Sequence, residues 1–399
     1  MTRMTRPGYD PRAPEIHADP YPAYRALREH DPVHLVPGAR LWFLTRHRDC
    51  LTVLCDSRFS ARQGQRLRQR HTALPVSMLN TDPPDHTRLR RAAAPAFRPR
   101  ALREHERWLA PLVGRWALRV REAARAGRET DLATEFARPL AVRVLAGFLG
   151  LPDGDLADFG GWADAVAGNL DPFADPAHPG EAAMSAMHDR FADHLFARIA
   201  DPRPDAFTVL ARGHVEGLIA PAEAMSTAGL LVVGGVEPLG DMITNAVAAL
   251  LAAPGRWRDL ADADRPSARS SVRGAAEELL RIDPPIQFTA RTAGEDLVIG
   301  GRSIRRGDGV VPLLGAANRD GARFSDPDRL DLGRRVNPHL SFGAGRHTCL
   351  GAPLVRLFAR LLIAAVHGCP VEPAPGAAAA VRRPGTVPRG YASLPLRWS

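Results

Sequence analysis

The chain contains no lysine: its 53 Lys-plus-Arg residues are all arginine. It is also poor in cysteine, with 4 in 399 residues, and in aromatic residues, at 6%. Cys50, Cys55, Cys349 and Cys369 show no framework spacing. That excludes a disulfide-stapled secreted scaffold and fits the reducing cytoplasm. No signal peptide is expected, because the first apolar run arrives late and is short. No Ser/Gly or low-complexity linker divides the chain, and no internal repeat recurs. A solenoid or a string of modules is therefore excluded. One large domain over residues 21–399 is expected, behind a flexible N-terminal segment 1–20 that lacks an apolar pattern. The net charge of +9 suggests an anionic partner. With no basic run interleaved with aromatics and no zinc-finger spacing, nucleic acid is not that partner. An arginine excess is also what a GC-rich genome writes.

What is present is an ordinary soluble composition, 45% hydrophobic and 24% charged, enough to build a large core. "PVHLVPGARLWFLT" predicts two short strands around Pro37-Gly38. Ala, Leu and Arg then recur at helical spacing for most of the next two hundred residues, as in Arg100 to Ala126 and Leu132 to Leu149. The apolar stretch Ala222 to Ala253 opens after Pro221, a helix-start position, and closes at Pro254. Its length would span a membrane. Glu237, Pro238 and Asp241 in its middle argue instead for a helix buried inside the domain, with no membrane anchor. A helix near Ala275 to Arg281 follows, then β-like "LVIGGRSI" and "GVVPLL", a last helix from Gly351 to His367, and β-like "YASLPLRW". The expected fold class is mainly α with small β-sheets.

"SFGAGRHTCLGAPLVR" places Cys349 among three glycines just before that last helix. A helix N-terminus, with free amides and the positive end of its dipole, favours a thiolate. Gly343 and Gly345 permit a tight turn, Gly351 permits close approach to sulfur, and Pro353 is tolerated in a first helical turn. Phe342 can cover the sulfur against water. A single soft thiolate on a buried turn suits haem iron, whose remaining ligands come from the porphyrin. A zinc site would need more Cys or His than the nearby His347. A cysteine nucleophile paired with His347, and a plain buried cysteine, are the other readings.

The run Phe342-Gly343-x-Gly345-x-His347-x-Cys349-x-Gly351 resembles the haem-binding loop of the cytochrome P450 family. Other stretches from about Tyr21 to the C-terminus resemble the family in the same order. The resemblance implies a cytochrome P450 fold around a buried haem b, with Cys349 as axial ligand to the iron. It implies that His86, Arg90, Arg291 and His347 hold the haem propionates. It implies a structural pair, Glu278 and Arg281, completed by a residue of "FSDPDRLDLGR", for which Arg329 is the candidate.

The central helix departs from the family. Where the family has an acid followed by threonine, this chain reads Gly234-Gly235-Val236-Glu237-Pro238. Pro238 has no N–H for the carbonyl of Gly234, so it keeps the helix kinked there while removing the hydroxyl that helps deliver protons. Three readings follow: protons supplied by Glu237 or by Asp241 one turn on, a peroxide-dependent enzyme, or oxidative coupling of substrate radicals. By resemblance the substrate pocket draws on the loop Arg68 to Leu79, on Val233, on Ile286, Phe288 and Ala290, and on Tyr391. That lining suits an apolar or aromatic small molecule. The implied activity is a haem-thiolate monooxygenase inserting one oxygen atom from O2 by hydroxylation or epoxidation, in natural-product biosynthesis. Its electron donors would be a ferredoxin and ferredoxin reductase, docking on Arg88, Arg91, Arg98 and Arg100. A haem-bound sensor or binding module is the non-enzyme alternative.

Overall fold

The computed structural model describes residues 9–62, 76–166, 171, 180–253, 255–261, 268–366, 371–373 and 379–398. The two strands expected around Pro37-Gly38 form as Val33–Leu35 and Leu41–Leu44, paired antiparallel, with Gly38 at φ 75° in the turn. Leu41–Leu44 then pairs in parallel with Gly309–Pro312, fully buried on both strands. Arg291–Ala293 and Phe59–Ser60 complete this mixed five-stranded sheet. A second sheet joins Glu129–Asp131, Pro395–Trp398 and Val371–Pro373. Hairpins form from Leu297–Ile299 with Arg302–Ile304, and from Val381–Arg382 with Tyr391–Ser393.

Helices make up the rest. Pro99–Arg125 and Arg138–Leu149 occupy the expected ranges, the second entered through a single π-type turn, Leu132–Ala137. The long apolar stretch becomes two segments, Pro221–Val233 and Val236–Leu251. By length and composition it could cross a membrane, yet two-thirds of its most apolar window is buried in protein, as the charges in its middle require. Gly229 lets the helix Gly180–Ala200 pack closely, because a Cβ there would lie 3.3 Å from Met187 Cε and from His188 Nε2.

The chain is packed earlier than the expected boundary at residue 20. Tyr9 is buried against Phe43 and Tyr24, Pro14–Ala18 is helical, and Arg389 donates to the carbonyls of His17 and Ala18. One aromatic ring and two backbone acceptors do what an apolar pattern was expected to do.

The helix Ala268–Ile282 carries a second correction. Glu278 and Arg281 are 0% exposed and share a two-pronged ion pair at 2.8 Å. The third member is Arg334, whose Nε donates to Glu278 Oε2 at 3.0 Å. Arg329 contributes only its backbone carbonyl, to Arg281, while its side chain is 58% exposed beside Asp331. Both arginines lie within the quoted stretch, and only the turn at Asp331–Arg334 decides which guanidinium comes inward. Removing one partner of a buried ion pair costs about 3–5 kcal/mol. Arg334→Ala is therefore expected to lower the urea unfolding midpoint strongly, and Arg329→Ala to leave it nearly unchanged.

Candidate functional site

The cysteine loop is built by two left-handed glycines, Gly343 at φ 65° and Gly345 at φ 68°. A side chain at Gly345 would come within 2.5 Å of the Leu54 carbonyl, so the loop can press against the helix His47–Cys55 only with glycine there. The Cys349 amide donates to Phe342 O at 2.8 Å, which closes the turn. The loop hangs on the buried ion-pair cluster through Asn318. That residue receives from Leu340 N and donates to Ser341 Oγ, and its carbonyl accepts from Arg281.

Cys349 presents accessible surface, yet burial pushes its thiol pKa up. The two observations agree if the surface is the wall of an internal cleft. The amides of Gly351 and Ala352 pull the pKa back, as expected at a helix start, and the charges of Arg90 and Arg356 add to this. Burial still wins, so a cation at sulfur is what would make the thiolate stable. Neither the zinc nor the nucleophile reading of this cysteine gains support. Among the described residues no group of three or more His, Cys, Asp or Glu is placed to hold a metal ion. His347 makes no hydrogen bond to Cys349; its ring instead lies 4.2 Å from that of His86.

His86, Arg90, Arg291 and His347 gather around the same loop. His86 and Arg90 stand on one face of the helix Asp85–Ala93, and Arg291 is in the main sheet, paired opposite Val310. Both ring nitrogens of His86, and Nε2 of His347, are buried without a hydrogen-bond partner. Burial, then the Arg291 charge and His86, push His347 down to about 3. Burial likewise lowers His86, with Arg90 adding to it, and brings Arg291 down to about 10. Among the described residues no carboxylate lies within ion-pair distance of Arg90 or Arg291. One acid, Asp82, stands 4.0 Å from His347 Nε2. Guanidiniums without an ion pair and imidazole nitrogens without a hydrogen bond suit the acidic groups of a ligand.

The central helix breaks where the motif predicted. Gly235 N makes a tight bond to Val232 O, Pro238 offers no N–H to Gly234, and regular bonding resumes at Leu239. Gly234 is exposed, and Leu230 and Pro238 are partly exposed. Their spacing of four puts them on one face of the helix. Val233 is packed into the main core cluster instead, at 4% exposure. On the strand side Ile286, Thr289 and Ala290 carry the accessible surface. Phe288 does not; its ring is buried in the cluster of Tyr9, Tyr21, Tyr24 and Phe43. Thr289 lies in the stretch Ile286 to Ala290 expected to line the pocket; Leu230 was not foreseen, since a motif does not say which turn of a helix faces inward. Tyr391 is half-buried with the Arg382 guanidinium 3.8 Å over its ring. Of the loop Arg68 to Leu79, residues 68–75 lie outside the described residues, as does Cys369.

Glu237 is buried, and both its oxygens are taken: Oε1 by Arg138 and Oε2 by Arg383. Arg138 also pairs with Asp164, which is 59% exposed. A line of charged groups therefore runs from the surface to the helix break. Neither arginine belonged to any motif. Asp241 lies one turn on, with Oδ1 against Gly390, where a Cβ would come within 1.9 Å, and with Oδ2 unpartnered. Arg383 Nε stands 3.9 Å away. Burial pushes Asp241 up to about 8, partly opposed by Arg383 and reinforced by Glu237. Burial also raises Glu237, against the pull of Arg383 and Arg138.

The family model for cytochrome P450 matches residues 272–367. Nocardicin C N-oxygenase of Nocardia uniformis subsp. tsuyamanensis is 37% identical over 372 residues, 89% of this chain and 89% of that protein. The cytochrome P450 monooxygenase PikC of Streptomyces venezuelae is 34% identical over 397 residues, 96% of this chain and 92% of that one. The crystal structure of CalO2 superposes with a TM-score of 0.89 at 35% identity, covering 98% of this chain and 99% of the other. The chain belongs to the cytochrome P450 family. As a cytochrome P450 it is a haem-thiolate monooxygenase whose cofactor is haem b and whose co-substrate is O2. The site fits that cofactor: one soft sulfur is accessible, both ring nitrogens of His86 and Nε2 of His347 lack hydrogen-bond partners, and among the described residues Arg90 and Arg291 have no ion-pair partner. Of the expected docking residues, Arg91, Arg98 and Arg100 are exposed. Arg88 is not free, because both ends of its guanidinium clasp Glu223.

The Asp241 carboxyl ordinarily titrates at 3.8 and here at about 8. The folded state thus keeps a proton that the unfolded chain releases between those values. Stability from this group is full below the ordinary value and is lost as pH rises through the folded one. Asp241→Asn is expected to remove that slope. Relative to the parent its unfolding free energy should gain on the order of a few kcal/mol between about pH 5 and about pH 8, read from urea titrations at each pH.

Proposed function

We propose that this cytochrome P450 hydroxylates or epoxidises an apolar or aromatic small molecule in natural-product biosynthesis, with Cys349 as the axial ligand of its haem. The observation that carries the ligand assignment is the accessible thiol at a helix start, beside imidazole nitrogens without hydrogen bonds and guanidiniums without an ion pair. In this reading His86, Arg90, Arg291 and His347 hold the propionates, and Phe342 shields the sulfur. Haem bound there supplies the reduction and cleavage of dioxygen. The chain's own residues do the remainder. Leu230, Gly234, Pro238, Ile286, Thr289 and Ala290 offer a mostly apolar wall that seats the substrate and excludes water. Nothing on that wall is charged, which favours a substrate with little polar surface.

Protons reach the broken helix through its acids. Glu237 exchanges protons with water when its carboxylate leaves Arg138, which can then stay paired with the exposed Asp164, and Asp241 holds a proton at neutral pH on a buried carboxyl whose Oδ2 has no other partner. Together they take over from the missing threonine. Electrons are supplied by a ferredoxin and its reductase, docking on the exposed Arg91, Arg98 and Arg100. The cytoplasm is the setting, in keeping with unpaired cysteines and a buried central helix.

The first measurement is the absorption spectrum of the dithionite-reduced, CO-bound protein. A red-shifted Soret band is expected, and Cys349→Ala should abolish it; a band surviving that substitution would remove the ligand assignment. Glu237→Gln is expected to slow coupled turnover by about 10-fold or more while binding changes little, with the lost electrons appearing as hydrogen peroxide. Unchanged rate and coupling would sink the relay. Product mass separates oxygen insertion, a gain of one oxygen, from oxidative coupling, a loss of two hydrogens. Turnover with peroxide alone would favour the peroxide-dependent enzyme, and ligand binding without NAD(P)H consumption a sensor.

A further inference from the structure

A recess lies between the N-terminal segment and the turn of the C-terminal hairpin Val381–Arg382 with Tyr391–Ser393. At its mouth Ile16, His17 and Thr386 are partly exposed, and deeper in Arg389 and Gly390 are buried. It has room for about one or two waters and none for a substrate. Its shape is fixed by polar contacts across it. Arg389 donates to the carbonyls of His17 and Ala18, and His17 Nε2 bonds to the carbonyl of Arg383 at 2.6 Å.

Two residues that line this recess also meet Asp241. Gly390 lies against Asp241 Oδ1, where any side chain would come within 1.9 Å. One residue of bare backbone is thus the partition between the recess and the acid. Arg383, whose side chain is 25% exposed, pairs with Glu237 Oε2 and places its Nε 3.9 Å from Asp241 Oδ1. The charged groups that face Asp241 are Arg383 and Glu237, then Arg138 and Arg382. The three arginines stay protonated and cannot pass a proton on. Glu237 has both oxygens taken by two of them. Asp241 is therefore surrounded by groups that do not refill it, and Oδ2 has no partner at all. Its proton has to come from water.

We propose that the recess is the proton entry to Asp241, its water restoring the Asp241 proton from bulk solvent through the gap that Gly390 leaves, without passing along the substrate cleft. This rests on the reading of Asp241 as a proton holder for the broken helix. When Asp241 gives up its proton, the carboxylate takes one from a water in the recess, and that water takes one from bulk. Both then stand as they began. Entry from behind keeps the cleft dry and lets it stay filled by substrate while the acid is reloaded.

Infrared spectroscopy of the haem-loaded protein tests this through the C=O stretch of a protonated buried carboxyl, assigned to Asp241 by its loss in Asp241→Asn. Transfer into D2O shifts that band, and the rate of the shift is the rate of proton exchange. Ile16 stands at the mouth and has no part in the chemistry. Ile16→Trp narrows the recess and is expected to slow exchange severalfold; Ile16→Ala widens it and should speed exchange. Phenylimidazole bound in the cleft should leave the parent's rate unchanged. Equal rates in the parent and both variants would overturn the proposal. So would a slowing by phenylimidazole as large as that by Ile16→Trp, which would put the route in the cleft. Should Ile16→Trp not fold, Ile16→Ala decides: a rate equal to the parent's overturns the entry. Failure of the underlying reading looks different, because the parent itself would then show no Asp241 band, and the entry would fall with it.

Discussion

The buried carboxylate of Glu278 is the interaction on which the arrangement depends. It is fully enclosed, and it receives Arg281, Arg334, Asn337 and the Asp331 amide. A carboxylate removed from water is tolerable only when its lone pairs are filled in this way, and a half-filled cluster would be worse than an apolar core. The cluster ties a helix to the irregular chain that follows it. From there Asn318 and Ser341 carry the constraint into the cysteine loop. The loop is glycine-rich and would be floppy alone; its shape is borrowed from that anchor.

The second constraint is the break in the central helix. Two glycines and a proline in five residues weaken the ladder locally and divide the stretch into two helical segments. Its polar residues point away from the cleft. Glu237 meets arginines from two other elements, and Asp241 is pressed onto Gly390 of the C-terminal hairpin. The cleft wall is thereby apolar while acids stand one layer behind it, which separates the binding of an apolar molecule from the handling of protons.

The two sides of the cysteine loop show complementary electrostatics. On one side, both ring nitrogens of His86 and Nε2 of His347 have no hydrogen-bond partner, and Arg291 bonds only to Thr289 and the Ala290 carbonyl. On the other, Glu277, His339 and Arg356 satisfy one another.

The sequence by itself determined whatever depends on residue type at fixed local spacing. The turn at Gly343 and Gly345, the cysteine before a helix, the kink at Pro238, the His86 and Arg90 pair and the buried Glu278 and Arg281 pair were all legible, because neighbours in sequence dictate them. So were the strands at both ends and the burial of the long apolar helix. Tertiary structure alone decided which groups meet across the chain. Arg334 in place of Arg329, Phe288 turned into the aromatic cluster, Arg138 and Arg383 on Glu237, Arg88 on Glu223, and the packing of residues 9–20 all depend on contacts between distant segments. In a chain whose cations are all arginine, one guanidinium looks like another in sequence. Only the desolvation cost of the finished fold selects which are drawn inside and which acid each must find.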